Sequence, residues 1–246
     1  MKVYYGFDNL PKFSQAVATM GSYDGVHSGH RELLQQVVAL AKRENTQSVV
    51  LTFDPHPRYV LGSGANLQLL NTLEEKIYLL ERQGIDNLIV VPFTEDFSQK
   101  RPIEFIEENI LPLGISTLVV GYNHRFGHNK EGDFNYLESR AEQLKIHMVE
   151  QHLVQESKVS STIIRQLIAK GMMQRAAQLL AEPYLIKAAI DQRGEIVNID
   201  NKKLLPPSGT YRVEIAGEIT DLIIEEGRRA RVLREREGVE IIKFIE

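Results

Sequence analysis

The chain has 246 residues, 43% hydrophobic and 25% charged, a balance that excludes disorder as the default and supports one large domain or two modest ones. A formal charge of -4 argues against coating nucleic acid, while a locally basic cleft for a small anion stays compatible with it. With no cysteine, disulfides and thiolate chemistry are excluded, and without a leader-like N-terminus or a long apolar run a soluble cytoplasmic protein off the membrane is expected.

Between residues 15 and 154, short β-branched runs alternate with amphipathic stretches. QAVATMG (15–21), SVVLTF (48–53), NLIVVPF (87–93), TLVVGY (117–122) and IHMVEQHLV (146–154) read as strands, and their unbroken apolarity predicts burial on both faces. Helical spacing connects them: Leu33, Leu34, Val37, Val38 and Ala41, then Leu73 to Gln83, Ile103 to Leu111 and Phe134 to Leu144. This alternation predicts an α/β fold with a doubly wound parallel sheet, whose ligands gather beyond the carboxyl ends of the strands.

Two short helices follow, Thr162 to Lys170 and Met172 to Leu180, parted by Gly171 and closed by Pro183. After Tyr184 the texture changes to short alternating runs: LIKAAI, EIVNI, TYRVEIA, TDLIIEE, RARVLR and VEIIKFI. They predict a small antiparallel β domain over residues 185–246, after a first domain over residues 1–184. In its basic run Arg228, Arg229, Arg231, Arg234 and Arg236 are interleaved with Glu225, Glu226, Glu235 and Glu237, which reads as a solvated strand face rather than a nucleic-acid patch.

The strongest local signal is MGSYDGVHSGHREL, residues 20–33, where a strand runs through a glycine-rich turn into a helix. Gly21, Gly25 and Gly29 let backbone amides approach a phosphate, and the helix start adds its partial positive charge. His27 and His30, three apart, can donate to phosphate oxygens at that end. Surface histidines or half of a zinc site are the alternatives for that pair taken alone. A second signal is VSSTIIR, residues 159–165: Ser160, Ser161 and Thr162 can cap a helix, and Arg165 one turn on can reach the same anion.

H-x-G-H within G-x-x-D-G-V-H-x-G-H, followed by V-S-S-T-x-x-R, resembles the FMN adenylyltransferase domain of prokaryotic bifunctional riboflavin kinase/FAD synthetases. FDPHP (53–57), VVGYNHRFG (119–127) and LLAEPY (179–184) resemble further motifs of that family, so the likeness spans about residues 15–184. It implies a Rossmann-like nucleotidyltransferase domain that makes FAD and pyrophosphate from ATP and FMN with magnesium. His27 and His30 would contact the ATP phosphates, while Gly21, Ser22, Tyr23, Asp24, Gly25 and Gly29 form the nucleotide loop. Ser160, Ser161, Thr162 and Arg165 would hold the triphosphate from the other side, and no protein ligand is assigned to the metal. Asn123 and Phe126 would approach the flavin, with Pro55, His56 and Pro57 as a wall; a core aromatic and a rigid turn are the plain alternatives for Phe126 and FDPHP.

The departures are Ser22-Tyr23 where Asn-Phe is common, His124 where Phe is frequent, and Ala181-Glu182 for Gly-Arg. The family's kinase domain normally opens with a glycine-rich segment ending in GFPTAN, and only LLPPSGTYRVEI (204–215) and the strands after it resemble that barrel. The expectation is a shortened kinase remnant without riboflavin kinase activity. Two rival functions stay open at this point: transfer to another phosphorylated acceptor, and non-catalytic flavin or nucleotide binding.

Overall fold

A computed structural model describes the chain except residues 141–142, 151–152, 155–156 and 234–236. It divides into two compact units, one of Met1–Tyr23, Gly29–Leu67 and Leu79–Leu153, the other of Asp24–Ser28, Gln68–Tyr78 and Val154–Glu246.

The first unit is built on six parallel strands: β1 (Lys2–Tyr5), β2 (Ala16–Met20), β3 (Ser48–Asp54), β4 (Asn87–Pro92), β5 (Ile115–Gly121) and β6 (Lys145–Val149). Their order is β1-β4-β3-β2-β5-β6. Every residue of β2 and nearly all of β3 and β4 are buried, as their unbroken apolar runs require. No residue of either edge strand is buried, β1 being exposed at Lys2 and Tyr5 and β6 at Lys145, His147 and Met148, which is why β1, with its KVYY sequence, carries no comparable apolar run. Helix α1 (Ser28–Arg43) buries Leu34, Val37, Leu40 and Ala41. The chain then supplies α2 (Leu73–Glu81), a helical stretch from Pro102 to Leu113 that widens to π-helical over Ile106–Ile110, and α3 (Phe134–Arg140). This last helix was expected to reach Leu144, but residues 143–144 already form a turn and a bend, with residues 141–142 outside the described residues.

The strand order runs from β2 through β3 and β4 one way and from β5 to β6 the other. The switch point therefore lies between β2 and β5, and the crevice beyond their carboxyl ends is where such a sheet receives ligands.

The run expected as one strand over 146–154 is split: β6 ends at Val149, and β7 (Leu153–Val154) pairs with β8 (Ser157–Lys158), with residues 151–152 outside the described residues. In the second unit α4 (Ser161–Ala169) and α5 (Met173–Leu180) are parted by Gly171 at φ 71, the left-handed value that the glycine was expected to take. Six antiparallel strands follow: β9 (Leu185–Ile190), β10 (Ile196–Val197), β11 (Gly209–Ile215), β12 (Glu218–Ile224), β13 (Ala230–Val232) and β14 (Gly238–Phe244). Their order is β10-β9-β14-β11-β12-β13, and a bridge between Glu195 and Arg231 links the outer strands into a nearly closed barrel. Strand β10 is shorter than the EIVNI run because Asn198 turns to φ 60, outside strand geometry. The core of this unit joins Leu70, Ile164, Ile168, Met173 and Ala176 to barrel residues such as Val213, Leu222 and Phe244. The arginine run is partly visible: Arg229 pairs with Glu225 at 3.4 Å, while Arg234 and Arg236 lie outside the described residues.

Candidate active site

Strand β2 delivers the chain to the switch point, where the Gly21 amide still donates to the Leu51 carbonyl at 3.0 Å. The backbone then becomes unusual, with Tyr23 at φ 46, Gly25 at φ 96 and Val26 at φ 39. For Tyr and the β-branched Val such angles cost about 1–3 kcal/mol each, and strain of that kind collects where a binding loop must hold one shape. Gly25 has a further reason to be glycine: a Cβ there would lie 2.7 Å from Leu70 Cδ1, and Leu70 is fully buried. Helix α1 opens at Ser28 with Gly29 and His30 in its first turn, so its positive end lies directly after the loop.

Within the first unit, Ser22 accepts through its carbonyl from Thr52 Oγ1 at 3.4 Å. Tyr23 is buried, 2% exposed, with its hydroxyl 2.9 Å from Thr19 Oγ1 and its ring edge-on to His30 at 5.2 Å. Burial pushes its phenol well above the usual range, so it stays neutral and backs the His30 imidazole as a shaped wall.

In the second unit the D-G-V-H part of the loop meets the S-S-T-x-x-R helix start. Ser161 Oγ donates to the Asp24 carbonyl at 2.8 Å, and the Arg165 guanidinium pairs with the Asp24 carboxylate. The other carboxylate oxygen accepts from the amides of Leu70 at 2.8 Å and Asn71 at 3.1 Å. Arg165 Nε donates to the Gln68 carbonyl at 2.8 Å, which fixes the guanidinium plane from a second direction. Gly25 is tied as well, its amide donating to Asn71 Oδ1 at 2.9 Å. Ser160 is the N-cap of α4, accepting from the Ile163 amide at 3.4 Å, so the plain capping role applies to it. Thr162 is exposed in the first turn, and His27, 8% exposed, sits two residues beyond Gly25.

The expected acceptor residues lie in first-unit loops that follow β3 and β5. After β3, His56 caps a short helix, its Nδ1 accepting from the Arg58 amide at 3.2 Å, with Pro55 exposed and Pro57 opening the turn. This is the rigid turn anticipated as the plain alternative for FDPHP. After β5, Asn123 is exposed, and Phe126 packs on Phe105 with centroids 6.1 Å apart. Around them Phe7, Phe53, Phe93, Phe97 and Phe105 form a chain of ring contacts. His124 takes an aromatic place in it, stacked on Phe126 at 5.7 Å, with Nε2 enclosed and without a hydrogen-bond partner. Desolvation lowers its pKa to about 4, so the ring is neutral near pH 7 and packs as an uncharged aromatic surface.

Segment 68–71, with Gln68, Leu70 and Asn71 all bonded to the loop or to Arg165, was not foreseen. One trace of it was readable: Thr72 and Glu75 form a capping box, with the Thr72 amide on Glu75 Oε2 at 2.9 Å and the Glu75 amide on Thr72 Oγ1 at 3.3 Å. Among the described residues no three His, Asp or Glu side chains gather into a metal-holding group, and no helix is long and apolar enough to cross a membrane.

Residues 10–163 match the family model for FAD synthetase. A bifunctional riboflavin kinase/FMN adenylyltransferase of Listeria monocytogenes is 32% identical over 80% of this chain and 67% of its own length. An FAD synthetase of the same organism is 31% identical over 81% of both chains. The bifunctional enzyme of Bacillus subtilis is 30% identical over 91% of this chain and 75% of its own. A solved structure described as a macrolide-efflux protein from Streptococcus pneumoniae shares the fold, with a TM-score of 0.87 at 20% identity over 100% of this chain and 90% of that one. With a family match that runs from residue 10 through the glycine-rich loop to the start of α4, the chain belongs to the FAD synthetase family.

Proposed function

We propose that this chain transfers the adenylyl group of ATP to FMN, giving FAD and pyrophosphate. The single observation that supports it most is the meeting of the two motif segments at Asp24, where Ser161 and Arg165 both bond the glycine loop. Hydroxyls, a guanidinium and strained loop amides are donors, and donors held in place are what a triphosphate needs. His27 and His30 would add imidazole N–H donors at the start of α1, and Asn123 with Phe126 would meet the flavin.

In the reaction a phosphate oxygen of FMN bonds to the α-phosphorus of ATP as the bond from that phosphorus to the bridging oxygen breaks. Pyrophosphate leaves with the bonding pair. No covalent enzyme intermediate is needed, and the residues act by holding the two reactants in line and balancing charge on the departing oxygens. The Asp24 carboxylate is already occupied by Arg165 and two amides, which fits magnesium arriving on the triphosphate rather than in a protein cage. The reading places the protein in the cytoplasm with ATP and FMN as its partners, residues 1–184 as the transferase domain and residues 185–246 as the barrel remnant. It assigns no riboflavin kinase activity, because no GFPTAN segment occurs between Tyr184 and Gly209.

Pyrophosphate release from ATP, followed across FMN, riboflavin, nicotinamide mononucleotide and phosphopantetheine, tests this. Release with FMN alone is expected. Preference for a non-flavin acceptor would overturn the substrate assignment, and FMN formed from riboflavin would overturn the loss of kinase activity.

A further inference from the structure

Segment 68–71 is bonded on both sides within the second unit. On one side it holds the phosphate machinery: Gln68 takes Arg165, Leu70 and Asn71 take the Asp24 carboxylate, and Asn71 takes the Gly25 amide. On the other it is laced to the strand-like run 202–204 that leads into the barrel. The Leu69 amide donates to the Lys202 carbonyl at 2.7 Å, and the Leu204 amide returns to the Leu69 carbonyl at 2.8 Å.

At the middle of that lacing is Lys203, a fully buried ammonium at 1% exposure. Its three donors are all used, on the Leu70 carbonyl at 2.7 Å, Glu75 Oε2 at 2.6 Å and the Leu185 carbonyl at 2.7 Å, and it lies 4.3 Å from the centre of the Tyr184 ring. Glu75 is fully buried as well and takes the Lys187 amide at 2.8 Å on its other oxygen. Tyr184 donates to the Leu204 carbonyl at 2.7 Å, and Arg228 donates to the carbonyls of Asp200 at 2.9 Å and Lys203 at 2.8 Å. A buried ion pair is weak evidence for stability, since apolar residues of the same volume often do as well or better; the best-attested use of such a pair is to fix register.

We infer that Lys203 is a positioning residue for adenylyl transfer, and that the barrel remnant serves as the rigid back of the phosphate clamp. The path is short and continuous: Lys203 to the Leu70 carbonyl, the Leu70 and Asn71 amides to Asp24, and Asp24 to Arg165. Movement of one peptide at Leu70 shifts the carboxylate that aims the guanidinium. The inference rests on the proposed adenylyl transfer and gives the C-terminal strands a task in it.

The test uses the full chain with Lys203→Met, and with Lys203→Met combined with Glu75→Gln. The single variant leaves a buried carboxylate unpaired and is expected to melt lower. The double variant removes that carboxylate charge and is expected to regain most of the melting temperature. It still lacks the bond to the Leu70 carbonyl, so kcat/KM for ATP should stay about tenfold or more below the parent while KM for FMN stays within about twofold. A double variant that regains both stability and ATP kinetics would show a purely structural pair and overturn the inference.

Hydrogen exchange on the unaltered protein covers the case in which the variants fail to fold. Adding magnesium ATP should slow exchange at residues 68–71 and 202–204 together. Protection confined to the loop and the start of α4, with 202–204 unchanged, would overturn the coupling. Exchange reads binding without turnover, so an absence of FAD from the parent protein would count against the functional reading and not against this one.

Discussion

Asp24 and His30 illustrate two kinds of residue in one loop. Asp24 is 2% exposed and spends its carboxylate on Arg165, Leu70 and Asn71, so its work is to hold other groups in place. His30 stands at the helix start against the Tyr23 ring, where it would meet the phosphates of the proposed reaction. Replacing His30 by Ala is expected to lower kcat for FAD formation by about 10²-fold or more with a small change in melting temperature, read by steady-state kinetics beside thermal unfolding. An unchanged kcat would remove His30 from the machinery. His124 gives a prediction of a different kind. Its folded pKa of about 4 lies below the ordinary 6.5, so the unfolded chain holds a proton there that the folded chain lacks. Stability is thus lost as pH falls from 6.5 toward 4, by about 2 kcal/mol at pH 5. His124→Phe should flatten that part of the pH profile in urea unfolding measured at pH 7 and pH 5; parallel profiles would contradict it. The residues proposed to touch phosphate were readable as candidates because they crowd into two short motifs. Asn71 and Lys203 were not, because their meaning comes from partners 46 and 133 residues away.

At the scale of elements, the loop from β2 into α1 carries the tightest steric demands. Gly25→Ala would place a methyl group at φ 96 and 2.7 Å from the buried Leu70. It is expected to destabilise the protein by about 2 kcal/mol and to weaken ATP binding, as measured by urea unfolding and by titration with ATP; full stability with normal binding would refute the packing reason for this glycine. The interior strands were legible because burial on both faces leaves an unbroken apolar run, whereas β1 at the edge needs none. The barrel strands were legible by alternation, but their ends were not, since single turns such as Asn198 at φ 60 are set by local backbone geometry. The helix expected at Ile103 to Leu111 was found with its neighbours in a mixed helical stretch, and nothing in its apolar spacing distinguishes a π-helical turn from an α-helical one.

The whole molecule divides into two units, each with its own hydrophobic core. The first contains Gly21, His30, Asn123 and the aromatic cluster; the second contains Asp24, Gly25, His27 and the Ser160–Arg165 segment. A linear reading of the chain finds the α/β and antiparallel halves from periodicity alone. It does not find that residues 24–28 and 68–78 pack with the C-terminal half, because the bonds responsible, such as Arg165 with Asp24, join residues 141 apart. Family membership fixes the class of chemistry, and the geometry adds which bonds hold Asp24 and Arg165 in place. The most direct test of adenylyl transfer is to incubate the full chain with magnesium, FMN and ATP labelled at its α-phosphate, and to separate the products chromatographically. The label is expected in FAD, in amounts matched by pyrophosphate. Label that stays in ATP, or that passes to a product without flavin, would contradict it.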